Sequence, residues 1–171
     1  AVACFFAKPW GVVSTGVRGG DRAWLLNEAA FRLHALGRLS DAVQPMRAGM
    51  QARIEQKDWK NAAISASNLS ALELTLGKVG DAVRDAERSV ELADHSGDQY
   101  QRGVNRCTLA DALHQGGHRA NALARFREAE VMQTQPRLLY SLWGFRYCDL
   151  LLADAERAAG FGQGSESLVV R

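Results

Sequence analysis

Residues 77–83 read GKVGDAV, and the same pattern occurs twice more in this chain of 171 residues. Residues 37–43 read GRLSDAV and residues 117–123 read GHRANAL, so the three copies are spaced 40 residues apart. A period of roughly 20–50 residues is typical of proteins built by stacking copies of one structural unit. Each unit buries its apolar face only against its neighbours, and the stack exposes an extended surface. The pattern therefore predicts a binding scaffold rather than an enzyme.

Each copy of the pattern lies between two predicted helices. Ahead of Gly37, apolar side chains recur at the i, i+3, i+4 and i+7 spacing of an α-helix, at Leu26, Ala29, Ala30 and Leu33. Glycine accepts the left-handed backbone conformation in which many helices end, so the repeated glycine is expected in the turn. Two helices that cross closely need small side chains, and such residues align in the three units: Ala30, Ser70 and Ala110, followed by Ala42, Ala82 and Ala122.

The helical pattern defines the predicted domain organisation. Residues 1–20, rich in glycine and aromatic side chains, are expected to be an irregular lead-in that covers the first helix or marks the edge of a missing unit. Asp58 is the predicted N-cap of the second helix pair. The repeat domain is predicted over 21–159 and a flexible tail over 160–171, with repeats at about 21–57, 58–97 and 98–136 and a seventh helix at 137–159.

Composition and charge narrow the class of partner. Hydrophobic residues make up 47% of the chain and charged residues 23%, as in ordinary globular proteins. The net charge is +2, and the basic residues are interleaved with acidic ones rather than gathered in a basic face. We therefore expect a protein or peptide partner and no nucleic acid. Since no stretch approaches about 18 consecutive apolar residues, we also expect no membrane partner.

The cysteines indicate a compartment. Cys4, Cys107 and Cys148 are an odd number without close spacing, which predicts neither a disulfide framework nor a zinc site. Free thiols are natural in a reducing compartment, so a cytoplasmic location is expected. The start at Ala1 rather than at a methionine favours a processed product or a piece of a longer protein.

The repeated residues resemble those of tetratricopeptide-repeat proteins. That family's unit is a helix–turn–helix with W-x2-L-G-x2-Y in its first helix and A-x3-F in its second. The seventh helix is similar, with Tyr140-x2-Trp143-Gly144-x2-Tyr147, and the second helices carry Ala42 with Met46, Ala82 with Ala86, and Ala122 with Phe126. The resemblance implies an all-α, right-handed α-solenoid superhelix of three helix–turn–helix repeats plus an unpaired seventh helix.

Two features depart from the family's usual pattern. The period of 40 exceeds the usual 34 and is similar to the longer repeats of cargo adaptors such as kinesin light chains and of the sensor regions of large bacterial signalling ATPases. In addition, Glu73 and Arg106 occupy positions that are usually apolar.

The resemblance also implies a concave groove, lined by the first helix of each unit, that holds a peptide. Asn68 matches a position at which chaperone-binding members hold a peptide carboxylate, but the basic residues of that clamp are absent here. Recognition of acidic C-terminal peptides is therefore not expected. For each single residue, plain packing or solvent exposure remains an equal alternative to ligand contact. The implied groove residues are Trp24, Asn27, Phe31, His34, Asn68, Ala71, Val104, Thr108, Asp111, His114 and Phe145.

No sequence pattern points to catalysis. The chain has no nucleophile motif and no phosphate-binding loop. Asp111, His114 and His118 are spaced to share a helix face, but Gly116 and Gly117 are expected to end the helix before His118. We therefore expect no catalytic residue, no metal and no cofactor.

Three functions remain open on the sequence. The first is a protein-interaction scaffold that binds a peptide or protein segment in the groove. The second is a regulatory or sensor segment of a larger signalling ATPase or transcriptional regulator, acting by intramolecular contact or by self-association through exposed terminal helices. The third is an enzyme whose site has no recognisable motif.

Overall fold

The structure, a computed structural model, describes residues 2–8, 10, 12–133, 139 and 141–166, without the side chains of residues 2, 19 and 161–166. Helices dominate this part of the chain, and the expected all-α class is confirmed. A short 3₁₀ turn, Val2–Phe5, and two strands, β1 (Phe6–Lys8) and β2 (Val12–Val13), precede the helices. The helices are α1 (Gly19–Ala35), α2 (Leu39–Glu55), α3 (Trp59–Thr75), α4 (Val79–Ser96), α5 (Gln99–Gln115), α6 (Arg119–Met132) and α7 (Ser141–Glu166).

The repeated glycines lie in the turns, as predicted. Gly37, Gly77 and Gly117 have φ of +72°, +72° and +79°, the left-handed region that glycine adopts without strain. Each turn is closed by a bond from the residue after the glycine to a carbonyl in the last helical turn, as when the amide of Lys78 donates to the carbonyl of Glu73 at 2.8 Å. The glycines therefore fix where α1, α3 and α5 end.

Lys57 takes the same position between α2 and α3 without being a glycine. Its φ is +59°, and the amide of Asp58 donates to the carbonyl of Arg53 at 2.9 Å, closing the same kind of turn. The predicted N-cap follows at once, since the Asp58 carboxylate accepts from the amide of Asn61. The N-cap prediction is thus confirmed, and Lys57 stands in a conformation that side chains disfavour.

Lys57→Gly is expected to raise the free energy of unfolding by about 0.5–1 kcal/mol. The left-handed conformation costs a non-glycine residue about 1–2 kcal/mol, and the greater freedom of glycine in the unfolded chain offsets part of the gain. The reciprocal Gly77→Lys is expected to lower it by about 1 kcal/mol, although a Cβ at Gly77 has no heavy atom within 4 Å. Urea titration measures both, and changes of the same sign in the two variants would contradict the explanation.

The helices pack in consecutive pairs. The most extensive contacts join α1 with α2, α3 with α4, and α5 with α6, and successive pairs touch through α2–α3 and α4–α5. In addition, α3 packs directly on α5, and α7 packs on α5 and α6. The small residues predicted at the crossings are all at most 1% exposed: Ala30, Ser70, Ala110, Ala42, Ala82 and Ala122.

The first 20 residues differ from the predicted irregular lead-in. The antiparallel strands β1 and β2 place Phe6 opposite Val13, and both side chains are buried against Leu25, Leu26 and Ala29 of α1. The segment therefore covers α1, the first of the two alternatives above. The pairing joins residues seven apart through a turn in which Trp10 has positive φ. No periodic sequence pattern predicts this pairing.

The last helix also differs from its predicted bounds. Residues 137, 138 and 140 of the predicted helix, the last of which begins its family motif, lie outside the described residues. Leu139 is not helical, and α7 is described from Ser141. It continues to Glu166, so residues 160–166 of the predicted flexible tail are helical. Glycine lowers helix propensity by about 1 kcal/mol per residue but does not forbid a helix. Residues 167–171 lie outside the described part.

Candidate functional site

One cleft brings together three of the predicted groove residues. Ala71 of α3, Asp111 of α5 and Phe145 of α7 line a cavity of about 360 Å³, here called the α3–α5–α7 cleft. Its other lining residues come from the same helices and from the start of α4: Leu74, Thr75, Val79, Gln115, Arg146 and Asp149. Residues spread over more than 70 positions of sequence therefore share one surface.

Opposite charges pair within the cleft. The guanidinium of Arg146 lies 2.8 Å from the carboxylate of Asp111 and forms an ion pair with it. Burial raises the pKa of the Asp111 carboxyl, although the positive charge of Arg146 counteracts this. Nδ1 of His114 lies 3.6 Å from the carboxylate of Asp149, an ion pair only when the histidine is protonated. The pairs hold α7 on α5 and leave Phe145, which is 71% exposed, projecting at the edge of the cleft.

Residues near the middle of α3 and α5 are used in packing rather than presented to solvent. The hydroxyls of Ser67 and Thr108 share a hydrogen bond of 2.9 Å, and Thr108 is buried. Asn68, on the next position of α3, is exposed. Asn68 is therefore accessible to solvent, whereas Thr108 is not.

The predicted residues of α1 form a separate group. Trp24, Phe31 and His34 are exposed and Asn27 is half-buried. Among the hydrogen bonds, ion pairs and ring contacts of the described residues, none joins Trp24, Phe31 or His34 to the α3–α5–α7 cleft. The two exposed aromatic rings of α1 are thus a surface of their own.

A second cavity lies at the other end of α5. It has a volume of about 520 Å³ and is here called the α5–α6–α7 pocket. Val104, a predicted groove residue, and Cys107 line it together with Tyr100, Gly103 and Trp143. Burial raises the pKa of the Cys107 thiol to about 12, so this thiol stays protonated and is no nucleophile at neutral pH.

Both charged residues in usually apolar positions are buried in ion pairs. Glu73 of α3 is 1% exposed and accepts from Arg47 of α2 at 2.6 Å, while the same guanidinium nitrogen donates to Asp85 of α4 at 2.9 Å. Burial, with a hydrogen bond to Asp85, raises the pKa of the Glu73 carboxyl from 4.5 to about 7. These contacts connect α2, α3 and α4.

The second buried charge is part of a similar cluster. Arg106 of α5 donates to both carboxylate oxygens of Asp94 at 3.0 and 2.9 Å, and Arg102 donates to the same carboxylate at 2.9 Å. These hydrogen bonds hold the pKa of the Asp94 carboxyl below its usual value. The cluster joins α4 to α5, so both unusual residues serve the contacts between helix pairs.

Sequence reasoning did not identify several cleft residues. Leu74 and Thr75 follow Ala71 on the same face of α3. Gln115 of α5, which also lines the cleft, lies 40 residues after Thr75. The repeat spacing thus contained a signal for Gln115. Arg146 and Asp149 could be found only from the packing of α7 on α5, because the seventh helix breaks the period.

Neither a cluster of metal ligands nor a membrane-spanning helix occurs among the described residues. Over residues 2–133 and 141–166, apart from the omitted positions, no three His, Cys, Asp or Glu side chains converge as metal ligands would. Nor does any helix of the described part have the length and apolar character to span a membrane. No protein-family model and no curated protein matches the sequence.

Proposed function

We propose that this protein is a protein-interaction module of the tetratricopeptide-repeat type, which binds a peptide or protein segment in the α3–α5–α7 cleft. The observation that carries the proposal is the convergence of Ala71, Asp111 and Phe145, which the family resemblance selects, on one cavity. The right-handed solenoid is part of the proposal, and the consecutive helix pairs and the direct α3–α5 contact support it. The cysteine pattern favours the cytoplasm as its location.

The composition of the cleft supports an apolar anchor in the partner. Leu74 and Val79 form its apolar wall, and the small Ala71 leaves room between them and α7. The ring of Phe145 is exposed to water, and its contact with water is unfavourable until a partner covers it. Aromatic side chains of this kind contribute most of the binding energy in many interfaces. A segment with a leucine-sized or aromatic side chain seated beside Phe145 fits this arrangement.

Ala71→Trp is expected to abolish peptide binding by filling the cleft. Short random peptides displayed on phage would be selected on the natural protein, and their affinities would be measured for both proteins. We expect a loss of at least about tenfold, or about 1.4 kcal/mol. The matched control is Ala120→Trp on the exposed start of α6, which should bind as the natural protein does. Equal affinities in all three proteins would remove the cleft from the function.

A second candidate function is regulation by self-association or intramolecular contact. It is favoured by exposed apolar side chains of α7, since Leu142, Phe145, Leu151 and Leu152 are all at least half exposed. Exposed apolar patches mark association sites. Leu152→Glu is then expected to turn a concentration-dependent mass into that of a monomer in sedimentation equilibrium. A natural protein that stays monomeric throughout the micromolar range would contradict this candidate.

A further inference from the structure

The α5–α6–α7 pocket differs from the α3–α5–α7 cleft in carrying no charge on its described lining residues. Those residues are Gln99, Tyr100, Gly103, Val104, Cys107, Ala129, Met132, Gln133, Leu139, Ser141 and Trp143. Charged residues make up 23% of the chain, so eleven uncharged lining residues are a marked departure from its average. We propose that this pocket binds a small, uncharged, largely apolar organic molecule that carries an aromatic ring.

The size and walls of the pocket fit such a molecule. Its volume of about 520 Å³ lies within the roughly 300–1,000 Å³ typical of small-molecule sites. Trp143 and Tyr100 supply aromatic walls, and Val104 and Met132 supply aliphatic ones. Aromatic rings pack favourably against one another in offset or edge-to-face geometry. A fused or linked ring system therefore finds complementary surface here.

The polar groups of the described pocket lining are neutral, so they can orient a ligand by hydrogen bonds and do not require the ligand to carry a charge. The amide of Gln99 donates to the carbonyl of Met132 at 3.3 Å and closes α5 onto the end of α6. The hydroxyls of Tyr100 and Ser141 are further neutral groups at the lining. Cys107 remains a protonated thiol, so the proposed binding is noncovalent.

An ionised ligand is disfavoured for a physical reason. It would lose its hydration shell without meeting a counter-charge on the described lining residues, and an unpaired buried charge costs several kcal/mol. The charged groups that act on Cys107 are Arg146 and Glu130, which have opposite signs. Arg146 lies over the ring of Trp143 at 5.3 Å and is paired with Asp111. The pocket should therefore discriminate by charge between ligands of equal shape.

Two dyes that differ by one charged group test this discrimination. N-phenylnaphthylamine is neutral, and anilinonaphthalenesulfonate has nearly the same ring system with an added sulfonate. Fluorescence titration of the full chain is expected to show saturable binding of the neutral dye and at least about tenfold weaker binding of the sulfonate. Equal or tighter binding of the sulfonate would overturn the proposal.

Gly103→Leu locates the site. A Cβ at Gly103 meets no heavy atom within 4 Å, so the leucine can project into the pocket without a backbone clash. The substitution is expected to weaken binding of the neutral dye at least about tenfold. Gly160→Leu, at another helical glycine with open space around its Cβ, is the matched control and should leave binding unchanged. If both variants bind the dye as the natural protein does, the pocket is not the site.

A second readout does not depend on whether Gly103→Leu folds. Trp143 lines the pocket, whereas Trp24 lies exposed on α1, so energy transfer from tryptophan to the neutral dye should fall in Trp143→Phe and persist in Trp24→Phe. The reverse pattern would place the dye elsewhere. Ala71→Trp blocks the α3–α5–α7 cleft and should leave the affinity for the neutral dye unchanged. The outcome of the dye experiment is therefore independent of the proposed peptide binding.

Discussion

Phe126→Ala is expected to lower the free energy of unfolding by about 3–5 kcal/mol, the cost usual for deleting a fully buried phenylalanine. Phe126 of α6 is 0% exposed and stacks on Tyr147 of α7 with ring centroids 4.9 Å apart. It belongs to the core in which Leu113 of α5 and Leu150 of α7 are buried. The alanine leaves a cavity between three helices and removes the aromatic partner of Tyr147.

The loss of stability in Phe126→Ala is expected to affect α7 first. Among the described helices, α7 packs on α5 and α6, and these contacts are sparser than those within a helix pair, so hydrogen exchange of its amides should accelerate more than that of α3. The control is Phe145→Ala, which removes an exposed ring on the same helix and should change stability by less than about 0.5 kcal/mol. A change below about 1 kcal/mol in Phe126→Ala would contradict the described packing of α6 against α7.

The natural protein is expected to lose stability between pH 5 and pH 8, and Glu73→Gln is expected to remove the share of that loss that comes from Glu73. Because burial raises the pKa of Glu73 from 4.5 to about 7, the folded state binds its proton more tightly than the unfolded state does. The contribution of Glu73 is therefore fully present below about pH 4.5 and is lost as pH rises to about 7. At about 1.36 kcal/mol per pH unit, this shift amounts to about 3 kcal/mol.

Glutamine resembles the protonated carboxyl and keeps an oxygen that can accept from Arg47. Glu73→Gln should therefore match the natural protein at pH 5 and exceed its stability at pH 8, as measured by urea titration at both values. The other charged groups around Glu73 are Arg47 of α2 and Asp81 and Asp85 of α4. Glu87→Gln, at an exposed position of α4, is the matched control and should follow the natural protein. The same pH dependence in Glu73→Gln as in the natural protein would show that the Glu73 carboxyl is not desolvated.

The sequence predicted local features well because local residues cause them. The positive φ at Gly77 and the N-cap at Asp58 depend on a few neighbouring residues, and both were evident from residue type and spacing. The burial of the aligned alanines followed from the repeat spacing. The β1–β2 pairing was missed because strands of three and two residues leave no periodic pattern.

The α3–α5–α7 cleft was predicted only in part. The resemblance to the repeat family selected Ala71, Asp111 and Phe145, which share the cleft, but it also selected Thr108, which is buried and hydrogen-bonded to Ser67. Alignment identifies equivalent positions on successive helices, whereas accessibility depends on how closely α5 is covered by α3 and α7. The contribution of Arg146 could not be read from the sequence, since α7 lies outside the period.

By itself, the sequence determined the helical class, the glycine turns and the small buried residues, because each of these depends on backbone conformation or on spacing along one helix. Only the tertiary structure decided what Glu73 and Arg106 do. Both occupy positions expected to be apolar, and each forms an ion pair with a partner at least 12 residues away in the chain. It also decided which cavities exist, because a cavity is the space left between helices, and that space is set by packing across the chain rather than by any one segment.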